Sequence, residues 1–200
     1  MLAAQKAIEG VWVFHLGGGW HHAFPDKAEG FCYLNDVAIA VRKLQKENAI
    51  KKISIIDCDL HQGNGTAYIF QDDTSVFTFS IHQQNLYPVK QKSTLDIGLS
   101  DWADDQEYLQ GLSRGIQKAL LEFQPEIVFY LAGADPFKED QLGSLQVSME
   151  GLLQRDKMVF QACKEIMANV VVVLAGGYAV NTADTVQIHF NTAQAFWEER

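Results

Sequence analysis

Residues 53–65 read ISIIDCDLHQGNG. The opening run is apolar and rich in β-branched side chains, the pattern of a strand covered on both faces. Asp57, Asp59 and His61 follow at every second position, separated by Cys58 and Leu60. Side chains at i, i+2 and i+4 of an extended segment share one face, at increments of roughly 6.6 Å. Two carboxylates and an imidazole are therefore expected to point one way, while Cys58 and Leu60 pack the other way. The glycines of HQGNG let the chain turn sharply into a helix, with Asn64 free to hydrogen-bond a histidine.

Working outward, comparable runs at 11–15 (VWVFH), 76–81 (VFTFSI), 127–132 (IVFYLA) and 170–175 (VVVVLA) also read as strands. Helical spacing fills the gaps at 35–47, 65–71, 105–123, 149–168 and 183–198. In the third of these, Tyr108, Leu109, Leu112, Ile116, Leu120 and Phe123 form one stripe. Asp104 with Glu107, Ser148, and Asn181 with Thr182 are expected N-caps. Strand and helix alternate along the whole chain, which predicts an α/β fold: an open parallel sheet between two helical layers, as a single domain over 1–200.

In such a sheet the ligand site lies beyond the carboxyl ends of the strands. Each predicted strand delivers a chemically capable residue there: His21 and His22 after LGGGWHH, Asp59 and His61, His82, Asp135 in GADP, and Tyr178 in AGGYAVN. Asp59 and His61 can share one metal ion, and Asp135 can close a third side. One imidazole and two carboxylates suit zinc, with iron(II) an alternative, and leave a position open for water. Asp57 lies a step deeper and needs a donor or a cation. Either an imidazole N–H of the tandem histidines or a monovalent cation held with Ser80 would serve. The glycines at 17–19 supply an irregular loop on which His21 and His22 can both face the pocket, one taking a proton from the activated water and the other giving one to the leaving group. Two carboxylate ligands offset most of a divalent charge, so an extra donor is needed at the developing oxyanion, and the Tyr178 phenol fits that need.

Composition narrows the field. The 200 residues are enough for one domain with a sizeable core. Sixteen Lys and Arg against 25 Asp and Glu give a net charge of −9, with no basic run of the kind that tracks phosphates. Nucleic acid is not an expected ligand, and a cationic substrate such as a lysine-bearing peptide or a polyamine is weakly favoured. HQGNG lacks the Lys and Ser/Thr of a phosphate-binding loop, and GGGWHH lacks the GxGxxG spacing. Cys32, Cys58 and Cys163 cannot all pair within one chain, so a reducing, cytoplasmic location is expected. No apolar run reaches the length of a membrane span, and no signal-peptide pattern opens the chain. ADPF carries Asp135 without the second nearby Asp that a two-manganese ureohydrolase would want.

With these residues assembled, the chain resembles the zinc-dependent histone deacetylase family of the arginase and deacetylase superfamily. The resemblance rests on GGGWHHAFPDKAEGFCYLND at 17–36, IIDCDLHQGNG at 55–65, FSIHQQNLYP at 79–88, GADPFKEDQLGSL at 133–145 and AGGYAVNTA at 175–183. DLHQGNG, DQLGSL and QRDKMVF at 154–160 look nearest to the class IV type and its bacterial relatives. The resemblance implies that Asp59, His61 and Asp135 bind zinc. It pairs His21 with Asp57 and His22 with Asn64, and makes His22 the general base and acid and Tyr178 the residue that polarises the scissile carbonyl. It also implies that Gly30, Phe31 and Tyr87 line an acyl-lysine tunnel, and that a structural potassium ion lies near Asp57, Asp59, His61, Ser80 and Ile81.

Asn64 stands where several family members carry Asp, so His22 is expected to be less strongly held as a cation. Family domains also carry a segment before GGGWHH that adds an edge strand, helices and one tunnel wall. An N-terminally incomplete domain, with an exposed sheet edge open to oligomerisation, is therefore the expectation. The implied reaction is metal-dependent removal of an acyl group from a lysine side chain of a peptide or protein. Deacetylation of small acylated amines such as polyamines is the alternative within enzymes, and a catalytically inactive binding module is the alternative outside them.

Overall fold

The isoleucine run lies at the centre of the sheet. In the computed structural model, which describes residues 1–200, Ile53–Asp57 forms strand β2, with all five residues buried. It is flanked by β3 (Val76–Gln83) and β5 (Ile127–Leu131), with β4 (Leu95–Leu99) outside β3, and β6 (Asn169–Val173) and β1 (Val13–Phe14) outside β5. All five pairings are parallel. The connections contain the helices α1 (Leu2–Ala7), α2 (Asp36–Lys46), α3 (Asn64–Phe70), α4 (Asp105–Ile116), α5 (Met149–Glu165) and α6 (Thr182–Glu199). This is the three-layer α/β architecture that the alternation of strands and helices predicts.

Alternate residues of the central strands divide between two cores, as a period of two requires. Ile56, Val128, Tyr130, Val170 and Val172 face one layer, where Tyr108, Leu112 and Leu120 meet Phe160 of α5 and Phe196 of α6. Ile53, Ile55, Phe129, Val171 and Val173 face the other, against Val37, Val41 and Leu44 of α2 and Ala4 of α1. Each fully buried aliphatic side chain contributes about 1.5–3 kcal/mol. The strands at the centre of the sheet are thus fixed by burial on both sides, and their carboxyl ends form a stable edge.

The expected N-caps are present. Asp104 accepts from Glu107 N, Ser148 from Gly151 N and Asn181 from Ala183 N. Some boundaries differ from the sequence expectation. The strand placed at 11–15 is only Val13–Phe14, because Trp12 turns its ring into the core and donates Nε1–H to Ala168 O at 3.0 Å. The expected helix at 105–123 changes at its second half to a π-helical segment, Gln117–Glu122, where buried Ser54 of β2 donates to Ala119 O at 2.7 Å. Helix α1 and strand β4 were not expected. In β4, LDIGL is interrupted by Asp96 and Gly98, and only Leu99 is buried, since the strand pairs on one side alone.

One charged group lies deep in the α5–α6 layer. Arg155 is wholly buried; its Nε donates to Asp156 Oδ1 at 2.9 Å and its Nη1 to Gly133 O. Asp156 also accepts from Tyr130 O–H and, at 2.6 Å, from Thr192 O–H. No helix is long and apolar enough to cross a membrane.

Candidate active site

The loop of Gly17, Gly18 and Gly19 runs entirely at positive φ, which only glycine adopts without strain. The carboxylate of Asp36, first residue of α2, holds it by accepting from Gly19 N at 3.2 Å and Trp20 N at 2.9 Å. The next residues are His21 and His22, both buried, with ring centroids 4.1 Å apart. Thr66 N donates to His21 O at 3.0 Å, tying this loop to α3. His21 Nδ1 lies 2.7 Å from Asp57 Oδ2, and His22 Nδ1 lies 2.7 Å from Asn64 Oδ1.

The extended run ends earlier than the alternation predicts, since β2 stops at Asp57 and the chain bends over residues 59–61. That bend brings His61 Nδ1 back to 3.4 Å from Asp59 Oδ1 and 3.6 Å from Asp135 Oδ2. Cys58 and Leu60 remain wholly buried on the opposite side. The three side chains offer ligand atoms within 4.8 Å of one another. Backbone donors aim them: His61 N and Gly176 N each donate to Asp59 at 2.9 Å, and Leu60 N donates to Asp135 Oδ1 at 2.9 Å. Asp135 Oδ2 is buried and has no hydrogen-bond partner. A buried, unpartnered carboxylate oxygen beside a second carboxylate and an imidazole calls for a cation, and the donor set suits a divalent transition metal.

The electrostatics agree. Burial and the neighbouring Asp59 raise the Asp135 carboxyl above the usual range. Burial opposes charge on His61, but Asp135 and Asp59 outweigh it and push the imidazole up to about 10. The two catalytic-looking histidines are driven apart. Burial again opposes charge on His21, but Asp57 and Asp59 hold it up at about 9. Burial and the adjacent His21 bring His22 down to about 3, so it is the neutral member of the pair.

These groups open into a cavity of about 740 Å³ whose lining includes Gly30, Phe31, Tyr87, Leu142 and Tyr178. Gly30 and Phe31 are the central residues of a tight hairpin turn, with φ of 53° and 63°. The turn is closed by paired hydrogen bonds between Glu29 and Cys32. A Cβ at position 30 would come within 2.2 Å of the His22 ring, so only glycine fits. Tyr178 is part-exposed in the cavity, 6.4 Å from Phe31 between ring centroids. Its backbone is held by Asp140 Oδ2, which accepts from Tyr178 N at 2.6 Å.

Of the residues singled out from sequence, Ser80, Ile81 and His82 do not reach the cavity, and His82 lies within β3, buried, rather than beyond its end. Ser80 sits in register beside Asp57 on β3, with Oγ 2.9 Å from His82 Nδ1, and Ile81 is wholly buried. Asp57 and Asn64 lie behind the histidines. The sequence reading missed Asp140 and Glu29. Asp140 lies inside the quoted stretch GADPFKEDQLGSL, but nothing local marks it as the partner of a backbone N–H 38 residues on.

Comparison with known proteins follows the same lines. Residues 1–193 match the histone deacetylase domain. An uncharacterized protein of Picosynechococcus sp. is 45% identical over 190 residues, covering 94% of this chain and 63% of its own length. Histone deacetylase 2 of Arabidopsis thaliana is 32% identical over 190 residues, covering 93% of this chain and 49% of its own. Acetoin utilization protein AcuC of Staphylococcus aureus is 30% identical over 190 residues, covering 88% of this chain and 48% of its own. The chain thus spans about half to two thirds of the length of these relatives. The crystal structure of an acetylpolyamine aminohydrolase from Burkholderia pseudomallei shares the fold, with a TM-score of 0.77 over 98% of this chain and 58% of that one, at 22% sequence identity. By the domain match over nearly its whole length, the chain belongs to the histone deacetylase domain family.

Proposed function

We propose that this chain carries the centre of a metal-dependent amidohydrolase that removes an acyl group from a lysine side chain or a similar amine. The observation that carries this reading is convergence: a three-ligand group, two histidines of opposite electrostatic bias and a phenol all meet in one cavity with an apolar mouth. Asp59, His61 and Asp135 would hold zinc, or iron(II) in its place, and the bound ion would polarise the amide carbonyl and acidify water beside it.

The remaining work falls to the protein. His22 is neutral, and with Nδ1 turned to Asn64 its other nitrogen is left to accept a proton from the attacking water. His22 then returns that proton to the leaving amine. His21, its Nδ1 2.7 Å from Asp57 Oδ2, would flank the attacking water beside His22. The Tyr178 phenol donates to that oxygen. Gly30, Phe31 and Tyr87 would hold the substrate stem, where burying four methylenes contributes about 3 kcal/mol. A potassium ion near Asp57, Asp59, His61, Ser80 and Ile81 would add charge behind the site, and the register of Asp57 beside Ser80 supports that position. Three free cysteines suit a reducing, cytoplasmic setting.

The test is hydrolysis of a fluorogenic acyl-lysine peptide and of an acetylated polyamine by the purified chain, loaded with zinc, with and without chelator. Chelator-sensitive turnover is expected, and the preferred substrate assigns the amine class. A folded chain with stoichiometric zinc that turns over neither substrate would overturn the reading.

A further inference from the structure

We infer that Glu29 is a positioning residue that sets the tautomer of His22 by fixing the Asn64 side-chain amide. The inference rests on the amidohydrolase reading only for its kinetic consequence. Five groups form a connected set of contacts. His22 Nδ1 lies 2.7 Å from Asn64 Oδ1, and Asn64 Nδ2 donates to Glu29 Oε1 at 2.7 Å. Tyr87 O–H also donates to Glu29 Oε1, at 3.2 Å, and Lys27 Nζ donates to Oε2 at 2.8 Å.

An asparagine amide has a donor end and an acceptor end, and either can be turned toward a histidine. An ionised carboxylate only accepts. Hydrogen bonding to Lys27 holds the Glu29 carboxyl below its usual range, so it stays ionised near neutrality. With Glu29 on one side, only Nδ2 of Asn64 can face it, and Oδ1 is left for the imidazole. Oδ1 accepts, so His22 must carry its hydrogen on Nδ1, and Nε2 keeps the lone pair that a general base needs. An aspartate at position 64 would need no such help, since both of its oxygens accept. Glu29 therefore supplies, one hydrogen bond further out, the orientation that an amide at position 64 cannot supply for itself.

Local backbone structure makes this possible. Glu29 and Cys32 close the tight turn at Gly30 and Phe31, and that turn lies directly against the His22 ring. The main chain that shapes the cavity mouth thus also delivers the Glu29 carboxylate to Asn64.

The experiment has two readouts. Nitrogen chemical shifts of ¹⁵N-histidine-labelled, zinc-loaded chain report which His22 nitrogen carries hydrogen. The expected result is hydrogen on Nδ1, shifting to a mixture in Glu29→Gln, because glutamine can meet either end of the Asn64 amide. In turnover, Glu29→Gln should lower kcat about tenfold, a fraction of what general base catalysis contributes. In an Asn64→Asp background the same replacement should raise kcat, because it relieves two facing carboxylates.

A His22 tautomer indifferent to Glu29→Gln overturns the inference. So does an equal loss in both backgrounds, which marks a merely structural residue. If no acylated amine is turned over at all, the amidohydrolase reading fails while the nitrogen shifts still decide the role of Glu29.

Discussion

Arg155 and Asp135 are both buried charges, and Arg155 Nη1 reaches the carbonyl of Gly133, two residues before Asp135. Their surroundings differ. The Arg155 guanidinium faces Asp156, and both oxygens of that carboxylate are occupied, by Arg155 and Tyr130 on one side and Thr192 on the other, while only the guanidinium Nη2 lacks a partner. Positive and negative charge balance there, in a place no solute reaches. At the sheet edge, Asp57, Asp59 and Asp135 converge on imidazoles, one carboxylate oxygen has no partner, and the cluster opens into a cavity. A buried cluster whose opposite charges are paired serves the fold. One left short of a positive charge is built to receive something.

Substitution in the two clusters should therefore fail in opposite ways. The largest effect belongs to Asp135→Ala, which should abolish stoichiometric zinc binding and cut turnover on the order of 10³-fold or more, while leaving the metal-free chain folded. Metal analysis alongside a thermal melt checks it, and a variant that keeps its zinc would contradict the ligand assignment. Asp156→Ala should do the reverse, lowering stability by about 3–5 kcal/mol in urea titration, because it strands a buried guanidinium. A shift under about 1 kcal/mol would mean that Arg155 finds other partners.

Tyr178→Phe sharpens the contrast inside the open cluster. It removes a donor and no ligand, so kcat should fall about 10²–10³-fold with zinc content unchanged. Loss of metal in this variant would assign the phenol to the metal site instead. The pH dependence comes next in size. Without metal, His61 is raised to about 10 by Asp135 and Asp59 against the effect of burial, and Asp135 is raised by burial and by Asp59. Metal must displace these protons, so zinc affinity should weaken by about tenfold or more per pH unit as pH falls from about 9 to about 6. Calorimetry in buffers of different ionisation enthalpy counts the protons released, and a count of zero would remove the argument. The smallest effect is expected at Ser148→Ala, which should cost about 1 kcal/mol through the lost cap on α5, with turnover retained.

The legible parts of this molecule are those where one residue pattern answers to one local rule. Ile53–Asp57 and Asn169–Val173 are dominated by β-branched apolar residues and read as strands because both faces are covered. Asp104, Ser148 and Asn181 announced their helices because a cap acts within three residues. Strand β4 was invisible, since Asp96 and Gly98 break its pattern and only the β3 edge makes it a strand. In the site, the residue types and their place at the strand ends were legible, but the bend at residues 59–61 was not, because backbone donors from Gly176 and Leu60 help to fix the carboxylates it brings together. Glu29 reads as an ordinary solvated acid between Ala28 and Gly30. Its partner Asn64 lies 35 residues on, a distance that no spacing rule spans.

The hairpin at Gly30 and Phe31 has a thermodynamic signature of its own. It holds Phe31 76% exposed at the cavity mouth, in a backbone conformation that its own turn enforces. An aromatic face kept in water by the main chain is hydrated before any ligand arrives and stripped of that water when one does. Heat capacity should therefore fall as a substrate stem settles against it, and the slope of binding enthalpy with temperature would report how much of that ring the substrate covers.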